Sequence, residues 1–306
     1  MMTLKEKRTR EKLESQCSKF FSFHYHGFSQ NKNEAPDKIR SAMTFHRHVE
    51  VTARIMDRLG IKRIKQMTGA IANNYMSSRQ NEIVAKSLKN ERKVLQRIID
   101  IVDPGKQVLI AGDLVERTWV NRAYTYEQVE KIMSHQRERM QLSTAIAFSA
   151  GLRAQELLTI RPLNESRPSN SLKWRKDLFK GLNGVKYVVK GKGGLKRVVT
   201  LPIQLAEILE SKRLPEPREV VDRKCRLITY YDIAGGKKFS DAFSQLSKSV
   251  LGWSNGAHGL RYSYAQERMS HSITEEAYQD RKEMVSQELG HFRKDITTHY
   301  LCAGAR

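Results

Sequence analysis

Helical spacing of apolar residues recurs along much of the chain, and one interval replaces it with strand spacing. Between Val185 and Leu201 the period drops to two: Val185, Tyr187 and Val189 face one way, Gly191-Lys192-Gly193-Gly194 supplies a turn, and Val198 to Leu201 returns. Side chains alternate across a strand but not along a helix, so this interval predicts a β-hairpin with a lysine at its tip. One hairpin amid helical pattern restricts the fold to a mainly α class with a small antiparallel β element.

Around it the helices fall into two groups. In the first, Ile39, Met43, Val49, Ala53 and Met56 predict a helix from Pro36 to Leu59, with Gly60 just past its end. Thr68 to Arg79 continues the pattern, and Ser87 to Val102 sets Leu88, Glu91, Leu95, Ile98 and Val102 on one stripe before Asp103-Pro104-Gly105 breaks it. This is the pattern of a small helical bundle, over residues 1–110. From Asp103 to Asn121 the periodicity lapses, as an interdomain linker would. A second domain, 121–306, then opens with helices at Glu127–Met133 and Arg139–Ala150, the latter ended by Gly151, and after the hairpin continues with helices at Pro202–Lys212, Phe239–Leu251 and His258–Met269. A length of 306 residues suits two domains.

Charge narrows the partners. With 55 Lys and Arg against 33 Asp and Glu, the formal net charge is +22, a self-repulsion that a polyanion relieves. Nucleic acid is the expected partner. Arg47, Arg54, Arg58, Lys62, Arg63, Lys65, Lys86, Lys89, Arg92, Lys93 and Arg97 give the first domain a basic surface to meet phosphates. No apolar run is long enough to span a bilayer and no signal peptide precedes the charged opening, so a membrane is not expected and a cytoplasmic location is. Cys17, Cys225 and Cys302 are odd in number and form no Cys-x-x-Cys pair, which argues against a disulfide framework and a zinc site and for a reducing compartment. His24, His26, His46 and His48 lack a cysteine or carboxylate at ligand spacing and read as structural. The run Phe20, Phe21, Phe23, Tyr25 and Phe28 reads as a packed segment rather than a base-stacking one.

Several residues point to phosphate chemistry. His258 and Arg261 lie three positions apart near a helix start, on one face, and converge on one anion that the helix dipole also favours. The helix through Val285–Leu289 is stopped by Gly290, so His291 projects from the turn; Tyr300 follows nine positions later. Arg153, in Gly-Leu-Arg-Ala-Gln-Glu-Leu, sits just past a buried helix.

Arg153, Lys192, His258-x-x-Arg261, Leu-Gly-His291 and Thr-Thr-His-Tyr300, in this order, resemble the tyrosine recombinase, or phage integrase, family. The resemblance covers Asn121 to Tyr300; the first domain is similar to the family's helical core-binding domain only in size, helical content and charge. It implies a two-domain architecture, a helical core DNA-binding domain followed by a mixed α/β catalytic domain. It also implies a site-specific recombinase of a mobile element, bacterial and nucleoid-associated when bound, working as a homotetramer on two double-stranded DNA molecules without metal, nucleotide or other cofactor. Tyr300 would be the nucleophile that forms a 3'-phosphotyrosyl bond, Arg153 and Arg261 would grip the scissile phosphate, and Lys192 would be the general acid, with Lys190 and Lys196 as rivals. Either His258 or His291 would take the phenolic proton. Glu156 is expected to orient a neighbouring arginine or cap a buried group.

Some features depart from the family pattern. Tyr262 stands where many members have histidine, and Glu165–Asp177 and Ser270–Lys282 read as inserted surface loops. Only Leu301–Arg306 follow the tyrosine, so subunit contacts would differ or lie elsewhere in the chain, and little room precedes Pro36 for an arm-binding domain. Competing readings are a type IB topoisomerase, which shares the arginine, lysine and tyrosine chemistry, a DNA-binding regulator with a vestigial catalytic domain, and a metal-dependent nuclease, for which no carboxylate cluster stands out. Target sequence, direction of recombination, accessory proteins and cleavage in cis or trans are open at this level.

Overall fold

The computed structural model describes residues 3–28, 35–110, 120–170, 173–223, 225–270, 274–292 and 294–301, without the side chains of residues 4, 5, 192 and 294–296. The chain divides into two compact units, Met1–Thr118 and Trp119–Arg306. Most of the candidate linker, 111–119, lies outside the described residues.

The first unit is built from α1 (Leu4–Tyr25), α2 (Ala42–Arg58), α3 (Gly69–Arg79) and α4 (Ala85–Val102). A reciprocal capping box, Thr3 with Glu6, starts α1. Its buried face repeats every four residues, Leu13, Cys17, Phe21 and Tyr25, and packs on α2, whereas Phe23 points to solvent. The aromatic run therefore divides between core and surface.

The expected helix from Pro36 begins later than the sequence pattern suggests, at Ala42. Ile39 spends its backbone groups on the end of α1, donating to Tyr25 O at 2.7 Å and accepting from Gly27 N at 3.2 Å, and the Ser41 hydroxyl then caps α2. Glu91 sits on the apolar stripe of α4 yet is 3% exposed. Its charge is matched by Arg54 at 3.0 Å and its second oxygen accepts from Tyr75 Oη at 3.0 Å. Arg58, Arg92 and Arg97 likewise bond within the unit, so only part of the anticipated basic surface is spare.

The second unit opens with α5 (Tyr126–Met133) and α6 (Glu138–Ser149), followed by a buried 3-10 turn at Glu156–Thr159. Next come β1 (Arg161–Pro162), β2 (Val185–Lys190) and β3 (Lys196–Leu201), an antiparallel sheet of order β1-β2-β3 in which Val189 pairs with Arg197 and Val185 with Leu201. Tyr187, Val188 and Val189 are all buried, because the central strand is covered on both faces. A short 3-10 turn, Lys192–Gly194, closes the hairpin.

After α7 (Ile203–Ser211), a second hairpin, β4 (Arg213–Asp222) with β5 (Cys225–Tyr231), occupies a stretch the sequence pattern left unassigned. Pro215 and Pro217 cannot donate to a ladder, and the register shifts between Arg213 and Arg218. The unit ends with α8 (Gly236–Leu251), α9 (Gly259–Met269), α10 (Glu275–Glu288) and α11 (Lys294–Leu301). Here Ser270–Lys282 is corrected: the Thr274 hydroxyl accepts from Ala277 N at 3.0 Å, and the chain is helical from Glu275 onward. Glu165–Asp177 holds no helix or strand among its described residues. It is tied at Ser169 to the backbone of Lys196 and at Arg175 N to Gln287. The architecture is mainly α with small antiparallel sheets.

Candidate active site

Backbone turns set up the site before any side chain enters it. Where α6 ends, Gly151 takes a left-handed φ of +59°, and a Cβ there would strike the Tyr264 ring at 2.6 Å. That turn releases Arg153 from the core, and the Glu156 carboxylate captures it twice, from the backbone N at 2.9 Å and from Nη1 at 2.6 Å. Glu156 is itself 1% exposed.

Arg261 lies in the first turn of α9 and is fully buried. Its Nη1 donates to Gly151 O at 2.5 Å and its Nη2 to Leu289 O, so the guanidinium spans the ends of α6 and α10. His291 follows Gly290, whose φ of +71° stops α10 and turns the imidazole inward. Its Nε2 stands 3.2 Å from Arg153 Nη2, 3.3 Å from Arg261 Nη2 and 3.4 Å from Tyr300 Oη. Since both guanidiniums only donate, Nε2 carries the lone pair and the ring proton sits on Nδ1.

Tyr300, on α11, is 6% exposed, and its Oη accepts from Arg261 Nε at 3.3 Å. His258, at the N-terminus of α9, stacks obliquely near it with ring centres 5.9 Å apart. Arg153, His258, Arg261, His291 and Tyr300 are thus gathered into one cluster within a single polypeptide. The Lys192 side chain lies outside the described residues, but its neighbour Gly191 is at the cluster: a Cβ there would lie 2.8 Å from Glu156 Oε1 and 3.5 Å from Arg153 Nη1.

Electrostatics follow from burial among cations. Burial, then Arg261, with Arg153 contributing to both, pushes the imidazoles of His258 and His291 down from 6.5 to about 3, so both are neutral at pH 7. Burial alone would raise the Glu156 carboxyl, but Arg197, Arg261 and Arg153 hold it well below the usual range and keep it ionised. Arg261 is lowered from 12.5 to about 10 by burial and by Arg153, and it stays charged.

Arg197 is the residue that motif reading missed. It is 1% exposed, with Nη2 at 2.7 Å from Glu156 Oε2. A signal existed: on β3 it shares a face with Val199 and Leu201, an arginine at an apolar position. Among the described residues no group of three His, Cys, Asp or Glu could hold a metal ion, and no helix is long and apolar enough to cross a membrane.

The sequence matches no family model and no curated protein. Solved structures do match the fold. A lambda integrase dimer bound to a COC' core site aligns with TM-score 0.57 at 16% identity, over 98% of this chain and 81% of that one. A XerH site-specific recombinase bound to difH substrate in a pre-cleavage complex gives 0.53 at 16%, over 97% and 92%. The Tn1549 transposon integrase with circular intermediate DNA gives 0.51 at 13%, over 95% and 96%. The chain has the two-domain fold of the tyrosine recombinases.

Proposed function

We propose that the protein is a site-specific DNA recombinase that cleaves and rejoins strands through Tyr300, its first unit serving as a core DNA-binding domain and its second as the catalytic domain. The observation that carries this reading is the phenol oxygen held 3.3 Å from Arg261 Nε and 3.4 Å from His291 Nε2, with Arg153 Nη2 3.2 Å from that same ring nitrogen. Two guanidiniums around a phenol form a cradle for a phosphodiester beside a nucleophile.

In the proposed reaction Tyr300 Oη attacks phosphorus, the P–O5' bond breaks, and a 3'-phosphotyrosine forms as the 5'-hydroxyl leaves. The phenolic proton passes to a neutral imidazole. His291 is placed for this by its lone pair on Nε2, with His258 as the second candidate. Lys192, on the hairpin turn next to Gly191, supplies a proton to the departing 5'-oxygen. Arg153 and Arg261 stabilise the second negative charge of the pentacoordinate state. Each bond broken is replaced by one of the same kind, so religation needs no nucleotide. The DNA complexes of the lambda, XerH and Tn1549 proteins support duplex DNA as the partner, and the lambda integrase tetramer seen on a Holliday junction supports a homotetramer on two duplexes. The transposon integrase supports service to a mobile element.

The test is covalent trapping on nicked suicide duplexes of randomised core sequence. Wild-type protein should yield a denaturation-resistant adduct whose linked peptide contains Tyr300, with or without EDTA. A Tyr300→Phe protein that still forms the adduct would overturn the assignment.

A further inference from the structure

Arg197 has no part in the chemistry just described, yet it touches the supports of three groups in it. Its Nη2 donates to Glu156 Oε2 at 2.7 Å and to Gly151 O at 3.3 Å, and its Nη1 donates to Glu288 O. A Cβ on Gly290 would meet its Cδ at 2.9 Å, so the turn that delivers His291 rests on its stem. Gly151 O also takes Arg261 Nη1, and Glu156 also holds Arg153. One buried guanidinium therefore braces the anchors of Arg153, Arg261 and His291.

Charge gives this contact a second consequence. A carboxylate taken out of water needs a counter-ion, and without Arg197 the only cations beside Glu156 among the described side chains are Arg153 at 2.6 Å and Arg261 at 3.8 Å. Either would then be neutralised. With both histidines neutral, the three guanidiniums and Glu156 leave a surplus of two positive charges. The phosphodiester carries one negative charge and gains a second at the pentacoordinate stage.

We infer that Arg197 is a positioning residue that neutralises Glu156 from within the core, so that Arg153 and Arg261 keep their full charge for the phosphate, while it holds the Gly151 and Gly290 turns in place. The inference rests on the recombinase reading for its rate consequences and on the contacts and charges of the cluster for its charge balance.

Two variants separate charge from shape. Arg197→Met keeps the length of the stem and removes the charge; Arg197→Met with Glu156→Gln removes both charges and restores the surplus. On saturating suicide duplex, the single variant should form adduct about 100-fold more slowly at unchanged DNA affinity, and the double variant should recover at least about 10-fold of that loss. In the DNA-free chain the NMR titration of His291 should move up in the single variant and return in the double.

A single variant with the wild-type rate, or a His291 titration that does not move, overturns the inference. If Arg197→Met does not fold, the double variant decides alone: a folded double variant slower than wild type by about 100-fold or more overturns it too. Wild-type protein that forms no adduct sinks the recombinase reading instead, and the His291 titration still tests the charge balance.

Discussion

Two buried carboxylates of the second unit, Glu156 and Glu288, are each 1% exposed, yet their surroundings differ in one respect. Glu288 is matched: Arg268 meets it twice, at 2.9 and 3.0 Å, and Tyr264 Oη and Phe179 N satisfy what remains of its lone pairs. Glu156 is outnumbered by Arg153, Arg197 and Arg261. A balanced buried pair joins α9 to α10 and offers nothing to a ligand, whereas a surplus of guanidinium around one carboxylate is unfinished until an anion arrives. On the proposed reading, buried charge thus marks scaffold in one place and a binding site in the other, and the count of partners tells them apart.

The sharpest way to break the comparison is to remove one cation from each cluster. Arg261→Ala should slow adduct formation by about 100- to 1,000-fold while DNA affinity, spread over many phosphate contacts, changes little. Equal losses in trapping and in filter binding would make Arg261 a mere anchor and erase the distinction. Arg268→Met should do the reverse, lowering unfolding free energy by about 3–5 kcal/mol because Glu288 is left buried without its cation, with the adduct rate per folded molecule unchanged. Urea unfolding alongside trapping would check both halves.

A third handle on the comparison is the pH dependence of stability. His258 and His291 are held at about 3 in the folded chain against 6.5 when free, so the unfolded chain binds more protons between those values. Their contribution is fully present above pH 6.5 and is lost as pH falls toward 3, and Glu156, held low by its arginines, adds a loss of the same sign at the acidic end. The urea midpoint should fall between pH 7 and pH 4, with a shallower slope in His258→Gln. An unchanged slope in Arg268→Met would confine the effect to the cationic cluster.

How much of this was legible in the sequence depends on whether the signal is local. The β2–β3 hairpin followed from alternation and a glycine turn, and α3 and α4 from apolar stripes with Thr68 and Asp103-Pro104-Gly105 as their bounds. Arg153, His258, Arg261, His291 and Tyr300 could be named from ordered motifs, although only the fold shows Arg153, Arg261 and Tyr300 meeting at His291 Nε2 with His258 near the Tyr300 ring. Where tertiary partners decide, sequence reading failed. Nothing local says that Ile39 pairs with Tyr25 rather than starting a helix, or that a proline-interrupted run pairs as β4 with β5. The start of α10 was missed because Glu275, Glu276 and Gln279 give its first turns no apolar stripe. Arg197 was passed over because a buried charge makes sense only once Glu156 is seen beside it.

Tyr300 lies against the arginine and the imidazole of its own polypeptide. On the reading proposed here, a lone protomer on one half-site already owns its nucleophile. Any rise in cleavage with protein concentration would therefore report copies gathering on the DNA, and dilution would slow strand exchange before it slowed the first cut.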